Sequence, residues 1–213
     1  VLRWEDSPNP VPSADEVLIK VEAAGVNYAD LMRRSGRYHF KTEFPAMLGT
    51  EAAGVVLKCG SNVTNFTNGD RVFCRTTTAA CQAELVVAPV SEIIPVPAAL
   101  SFVDAAAVPV VFLTAYHMLK TIAPVRPGET ILIQAAASGV GTAAVQLAKL
   151  WGGRVLATAS TDEKLDLVRR LGADECINYA KLDFVSEVMR HTSGAGVDRV
   201  LECVGGDVLL KSI

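Results

Sequence analysis

The stretch Glu-Thr-Ile-Leu-Ile-Gln-Ala-Ala-Ala-Ser-Gly-Val-Gly-Thr-Ala-Ala-Val-Gln-Leu-Ala-Lys at residues 129–149 limits the folds open to this chain more than any other. Thr130 to Gln134 is a short apolar, β-branched run that reads as a buried strand. Ala143 to Leu150 places Ala144, Leu147 and Ala148 on one helical face. Only small residues stand between them. A helix N-terminus presents unpaired N–H groups and the positive end of its dipole, so a turn without bulky side chains lets a pyrophosphate approach the amides of Gly139, Val140 and Gly141. The G-x-G-x-x-G spacing falls on Ala136, Ser138 and Gly141, with an extra Gly139, so two of its three glycines are replaced. An ordinary strand-to-helix turn of a parallel sheet is the competing reading, and the surrounding pattern has to decide.

That pattern alternates. Strands at Thr130–Gln134, Arg154–Ala159, Glu175–Asn178 and Arg199–Cys203 are separated by helices at Gly141–Leu150, Asp162–Leu171 and Leu182–Arg190. Such succession implies a doubly wound parallel sheet and favours a dinucleotide at the turn. About twenty residues beyond the turn, an NAD site places a carboxylate at the second strand end. Here that end carries Ser160, with Lys164 shortly after; Asp162 is a rival but also suits the first turn of a helix. A cation and hydroxyls suit a 2′-phosphate better than a ribose diol, so NADPH is expected over NADH.

The first half has a different character. Glu16–Gly25 alternates as a half-buried strand, followed by Asn27 and a short helix over Tyr28–Ser35 that Gly36 closes. Pro45–Val56 reads as a glycine-punctuated strand, with further strands at Val72–Cys74, Glu84–Ala88 and Glu92–Val96. Short strands at this spacing predict a small β-barrel or partly open sheet. Ser101 caps a short helix to Val108, and Phe112–Ile122 is a longer apolar helix. The expected division is residues 1–108 and 109–213.

Composition narrows the function classes. A net charge of −3, with 20% of residues charged, gives no electrostatic case for nucleic acid or an anionic membrane. The mean hydropathy of +0.31 is high, yet the most apolar region, Ala105–Leu119, is interrupted by Pro109 and too short to span a bilayer. Core or subunit contact fits it, and a homo-oligomer, dimer or tetramer, is expected. Five scattered cysteines without a C-x-x-C pair argue against a disulfide framework or a zinc cluster. A reducing, cytoplasmic setting is expected, and the sequons at Asn62 and Asn65 read as turn residues, no signal peptide being visible in a chain that opens at Val1.

Five segments carry a resemblance: Gly25-Val-Asn-Tyr-Ala-Asp-Leu-Met-Arg-Arg-Ser-Gly-Arg-Tyr38, Gly49-Thr-Glu-Ala-Ala-Gly54, Gly69-Asp-Arg-Val72, Leu113-Thr-Ala-Tyr116 and Ala136-Ala-Ser-Gly-Val-Gly-Thr-Ala-Ala-Val-Gln-Leu147. In this order they are similar to the zinc-free quinone oxidoreductases of the medium-chain dehydrogenase/reductase superfamily, the zeta-crystallin-like branch. The resemblance implies an α/β architecture: a GroES-like β-rich catalytic domain and a Rossmann domain, with NADPH in the cleft between them. It implies that Asn27 and Tyr38 line the substrate cleft and that Thr114 and Ser138 lie near the nicotinamide. Lys164 and Tyr179 would hold the 2′-phosphate, and Gly205 would sit where the cofactor crosses the sheet. Zinc-dependent relatives carry a cysteine and a Gly-His-Glu where this chain has Asn27-Tyr28 and Gly49-Thr-Glu51, so no metal is expected. Family members also continue past the position of Ile213 and begin before that of Val1, so a Rossmann sheet incomplete at its C-terminal end is expected.

Hydride transfer to a quinone or another conjugated carbonyl, a small-molecule substrate, is the implied reaction. Reduction of an enoyl thioester is an alternative within the same superfamily, and a non-catalytic NADPH-binding protein with a structural or regulatory role is another.

Overall fold

The computed structural model describes residues 2–76 and 80–213, which divide between Val110 and Val111 into two compact units. The first unit is built on β1 (Glu16–Ala24), β2 (Glu51–Cys59), β3 (Arg71–Arg75), β4 (Leu85–Pro89) and β5 (Ile93–Pro95), with α1 (Tyr28–Arg34) and α2 (Phe102–Ala106) between and after them. The strands form one antiparallel sheet in the order β4-β1-β2-β3-β5. Successive side chains of a strand face opposite ways, and β2 uses both faces. Ala52 packs with Val17, Ile19, Val56 and Val72, whereas Ala53 packs with Phe73 and with Ala105 and Ala106 of α2.

The second unit alternates strand and helix. β6 (Thr130–Ile133), α4 (Gly139–Leu150), β7 (Arg154–Ala159), α5 (Asp162–Arg170), β8 (Glu175–Asn178), α6 (Phe184–His191), β9 (Arg199–Leu201) and α7 (Gly206–Lys211) follow in order. The sheet is parallel, in the order β8-β7-β6-β9. Both faces are covered, which is why the strands read as continuous apolar runs. Ile131 and Ile133 pack with Ala144 and Ala148 of α4 and with Leu165 and Val168 of α5; Leu132 packs with Phe184 and Val188 of α6 on the other face. The chain moves outward from β6 through β7 to β8, then returns to place β9 on the far side of β6. Ligands of such sheets bind beyond the carboxyl end of the strand at which the order reverses, and here that strand is β6.

Several expected boundaries move, for identifiable reasons. The helix expected over Phe112–Ile122 starts earlier, as α3 (Pro109–Tyr116), because proline is accommodated at a first helical position where its missing N–H is not needed. It passes into a π-helix over His117–Ile122. The strand expected over Pro45–Val56 begins only at Glu51. The preceding carbonyls instead accept from a loop, Leu48 O from Gln82 N at 2.9 Å and Gly49 O from Cys81 N at 3.2 Å. α4 begins two residues before the expected Gly141, because Ser138 caps it. α6 starts at Phe184 rather than Leu182 because Asp183 is the cap, and β9 ends at Leu201, short of Cys203. No helix among the described residues is long and apolar enough to cross a membrane.

The parallel sheet supplies a first test. Leu156, fully buried in β7 between its neighbours, should cost about 2–5 kcal/mol when replaced by Ala, through lost burial and the cavity left behind. Leu150→Ala, at a side chain 76% exposed, should stay within about 0.5 kcal/mol. Chemical denaturation followed by a probe in the second unit checks both, and equal costs would contradict the assignment of the core.

Candidate functional site

The turn after β6 is a tightly held piece of backbone. Ala135 sits in the left-handed region with φ +47°, an uncommon conformation for a residue with a Cβ. Its N–H donates to Thr158 Oγ1 at 3.3 Å, and Thr158 donates in turn to Gln134 Oε1 at 2.6 Å. The next amide, Ala136 N, donates to Thr158 O at 2.9 Å, while Gln134 Nε2 donates to Ser212 Oγ at 3.2 Å. Gln134 and Thr158 are both buried. The carbonyl of Ala135 then accepts from Ser138 N at 2.9 Å, which closes the turn.

Ser138 is the N-cap of α4: its Oγ accepts from Gly141 N at 3.1 Å and its carbonyl from Thr142 N at 2.8 Å. Gly141 lies so close to the turn that a Cβ there would meet Ala135 O at 2.5 Å and Ala136 Cα at 2.6 Å. Backbone, not a flexible side chain, forbids any larger residue. The cap leaves the N–H groups of Gly139 and Val140 as first-turn donors that the helix cannot satisfy itself. Gly139 is exposed and Val140 half-buried. Two adjacent amides at the positive end of a twelve-residue helix fit a pyrophosphate. Ser138 therefore shapes this cradle through its cap, with its hydroxyl already engaged.

At the end of β7 the structure brings Ser160 and Lys164 together, Lys164 Nζ lying 3.3 Å from Ser160 Oγ. Thr161, not Ser160, caps α5 by accepting from Lys164 N, so the Ser160 hydroxyl is not consumed by the helix start. Among the described residues no carboxylate forms an ion pair with Lys164. Asp162 is engaged elsewhere: its oxygens accept from Asn178 Nδ2 and Lys181 Nζ, each at 2.6 Å. Those two bonds, Lys181 first, hold its carboxyl below the usual carboxylate range. Tyr179, half exposed, follows Asn178 and donates its backbone N–H to Ala159 O at 3.2 Å. Asn178 and Lys181 are thus residues that sequence reasoning passed over.

Two further expected cofactor neighbours lie elsewhere in this unit. Thr114 is in the body of α3, half-buried, rather than at a helix start. Gly205, with φ +80°, precedes α7, and its N–H donates to Glu202 Oε1 at 2.9 Å together with that of Val204. The Glu202 carboxylate already occupies the amides of that loop.

In the first unit, Asn27 caps α1 and is held from two sides. Its backbone N–H donates to Asp30 Oδ2 at 2.9 Å, and its side-chain Nδ2 donates to Glu51 Oε1 at 2.6 Å. Glu51 Oε2 accepts from Val110 N at 2.7 Å, in the first turn of α3. Asp30 Oδ1 accepts from Gly49 N at 3.3 Å. Glu51 is 3% exposed and Asp30 2%. Burial pushes the Glu51 carboxyl above its ordinary value of 4.5; the Val110 and Asn27 bonds and the Arg75 charge oppose that, and the Asp30 charge adds to it. Tyr38, half-buried, packs against His39 with ring centroids 4.2 Å apart and the rings tilted by 49°, and lies under the Arg33 guanidinium at 5.1 Å. The buried Asp30 and Glu51 were not singled out as functional in the sequence; a carboxylate inside an apolar, glycine-flanked strand is the signal for Glu51. Among the described residues no three His, Cys, Asp or Glu side chains gather as a metal site.

The family model of the alcohol dehydrogenase GroES-like domain matches residues 13–98, and that of the zinc-binding dehydrogenases matches residues 139–213. A quinone oxidoreductase of Homo sapiens is 35% identical over 204 residues, 96% of this chain and 62% of that protein. The structure of Escherichia coli quinone oxidoreductase complexed with NADPH superposes with a TM-score of 0.92 at 34% identity, covering 98% of this chain and 64% of that one. CurK enoyl reductase gives a TM-score of 0.91 at 33% identity, covering 99% of this chain and 65% of that one. The chain therefore spans under two thirds of the length of these relatives.

The turn makes its own prediction. Thr158→Val leaves the Ala135 N–H and the Gln134 side chain without their buried partner, which should cost about 1–3 kcal/mol. Thr158→Ser, which keeps the hydroxyl, should recover most of the loss. Thermal unfolding measures both; a Val variant as stable as the parent would show that the bond network does not hold the turn.

Proposed function

The chain belongs to the medium-chain dehydrogenase/reductase superfamily, in its zinc-free quinone oxidoreductase branch, and from that premise we propose that it binds NADPH and reduces quinones or other conjugated carbonyls. The observation that carries the reading is the capped turn of small residues before α4, combined with a second strand end where Lys164 and Ser160 stand together and the nearby Asp162 is already paired. A 2′-phosphate needs a cation and hydroxyl donors, and an ionised carboxylate facing it would repel it.

Bound NADPH supplies a hydride. The protein's own residues do the rest. Gly139 and Val140 present amides to the pyrophosphate, Ser138 fixes their direction through its cap, and Lys164, Ser160 and Tyr179 take the 2′-phosphate. Thr114 and Gly205 are assigned to the cofactor's further contacts. On the acceptor side, Asn27 and Tyr38 donate hydrogen bonds to the oxygen on which negative charge develops, and such bonds strengthen in the transition state. A conjugated acceptor spreads that charge, so the reaction does not demand a Lewis acid. We assign no metal to the Asn27 neighbourhood, because the Glu51 carboxylate there already accepts two N–H donors.

The likeness to CurK enoyl reductase favours a second reading, with an enoyl thioester as acceptor and the same residues in the same roles. A panel of quinones, enones and enoyl thioesters, followed by loss of NADPH absorbance, separates the two. Binding of NADPH with no oxidation by any member would instead favour a non-catalytic role.

Cofactor choice is the sharpest test. Lys164→Ala should weaken NADPH by about 1.5–3 kcal/mol, the scale of a charge-assisted hydrogen bond, and leave NADH nearly unchanged. Fluorescence titration of both cofactors decides it. Equal losses for the two would remove Lys164 from the 2′-phosphate site.

A further inference from the structure

We propose that Glu51 is a positioning residue for acceptor reduction: its carboxylate holds the Asn27 amide so that one Nδ2–H bonds Glu51 and the other is presented to the acceptor oxygen. The proposal deepens the function assigned above and rests on it, since it takes Asn27 to be an acceptor-side donor.

The geometry is specific. An ionised carboxylate only accepts, so the 2.6 Å contact between Glu51 Oε1 and the Asn27 amide requires Nδ2, not Oδ1, to face it. Its other oxygen is fixed by Val110 N at 2.7 Å, so the carboxylate cannot rotate away. Asn27 is fixed at its other end, where Asp30 accepts its backbone N–H and anchors itself on Gly49 N. Gly25 makes the arrangement possible, because any Cβ there would collide with the Glu51 carboxylate. Asn27 is thus held at its backbone by Asp30 and at its side-chain amide by a carboxylate that Val110 anchors in turn. An asparagine serving only the strand end would spend its donors on backbone carbonyls.

The charged groups around Glu51 set when this hold fails. Asp30 of α1 faces it as a like charge, Arg75 at the end of β3 as an opposite one, and the Cys81 thiol senses both carboxylates. Burial dominates and raises the Glu51 carboxyl above its ordinary 4.5. As pH falls through that raised value, Glu51 takes up a proton and becomes a donor as well as an acceptor. It then no longer compels Nδ2 to face it, and the amide loses its fixed orientation. Turnover is accordingly full above the Glu51 pKa and declines below it.

The test uses the full chain with NADPH and a simple benzoquinone. Asn27→Ala should lower kcat roughly a hundredfold, the scale of one lost transition-state donor. Glu51→Gln should lower kcat roughly tenfold, leave the NADPH dissociation constant unchanged and flatten the acid limb of the kcat profile. Combined with Asn27→Ala, it should add no further loss, because the two residues act as one unit. Additive losses, or an acid limb that survives in Glu51→Gln, overturn the proposal. A second measurement needs no turnover and no variant that must fold: the Asn27 side-chain amide resonances, followed by NMR across pH, should titrate. Resonances that do not move with pH overturn the proposal whatever the reaction is. Titrating resonances in a protein that oxidises no NADPH would support the hold of Glu51 on Asn27 and place the failure in the assigned reaction.

Discussion

The close approach of Gly141 to the backbone of Ala135 and Ala136 is the constraint on which the second unit depends. A helix can present its first amides to a ligand only if its end is brought against the strand end that positions it, and no side chain fits in the gap between them. From that contact the rest follows. Ala135 must turn through the left-handed region, and Thr158 and Gln134 must satisfy the polar groups that the turn buries. Ser138 caps α4 through the Gly141 amide, which leaves the leading two amides, those of Gly139 and Val140, without a partner within the helix. The sheet then puts this assembly at the strand where the strand order reverses.

The first unit answers a different problem with similar means. Two carboxylates, Asp30 and Glu51, are taken out of water, which is costly unless every oxygen finds a donor. Three of the donors are backbone amides, of Asn27, Gly49 and Val110, and the fourth is the Asn27 side chain. The arrangement spends buried charge on holding one amide still. It also ties β2 to Val110, at the end of the first unit.

Much of this was legible in the sequence, and the exceptions have physical causes. Strand and helix alternation in residues 130–201 carried the parallel sheet, because burial on both faces writes a pattern too apolar to misread. Helix starts were legible in kind but not always in place: Ser138 and Asp183 cap their helices, moving α4 earlier and α6 later than expected. The π-helical turn over His117–Ile122 reads in the sequence as a continuation of the same helix. In the candidate sites, the residues with exposed polar ends were the readable ones. Thr158, Gln134 and Glu51 act through partners distant in sequence, Asn27 with Glu51 and Gln134 with Thr158, and no spacing rule brings such pairs together. Asp162 is the instructive case: its role was ambiguous until Asn178 and Lys181, contributed by the next strand and turn, were seen to occupy it.

The turn before α4 is proposed to receive the pyrophosphate of a nicotinamide dinucleotide. Amide hydrogen exchange, resolved residue by residue with and without saturating NADPH, tests it most directly. Marked slowing is expected at Gly139 and Val140, whose amides the helix leaves unpaired, with little change at Gly141, whose amide Ser138 already holds. Exchange at Gly139 and Val140 that is the same with and without bound cofactor would contradict it, and would leave the turn as a packing device alone.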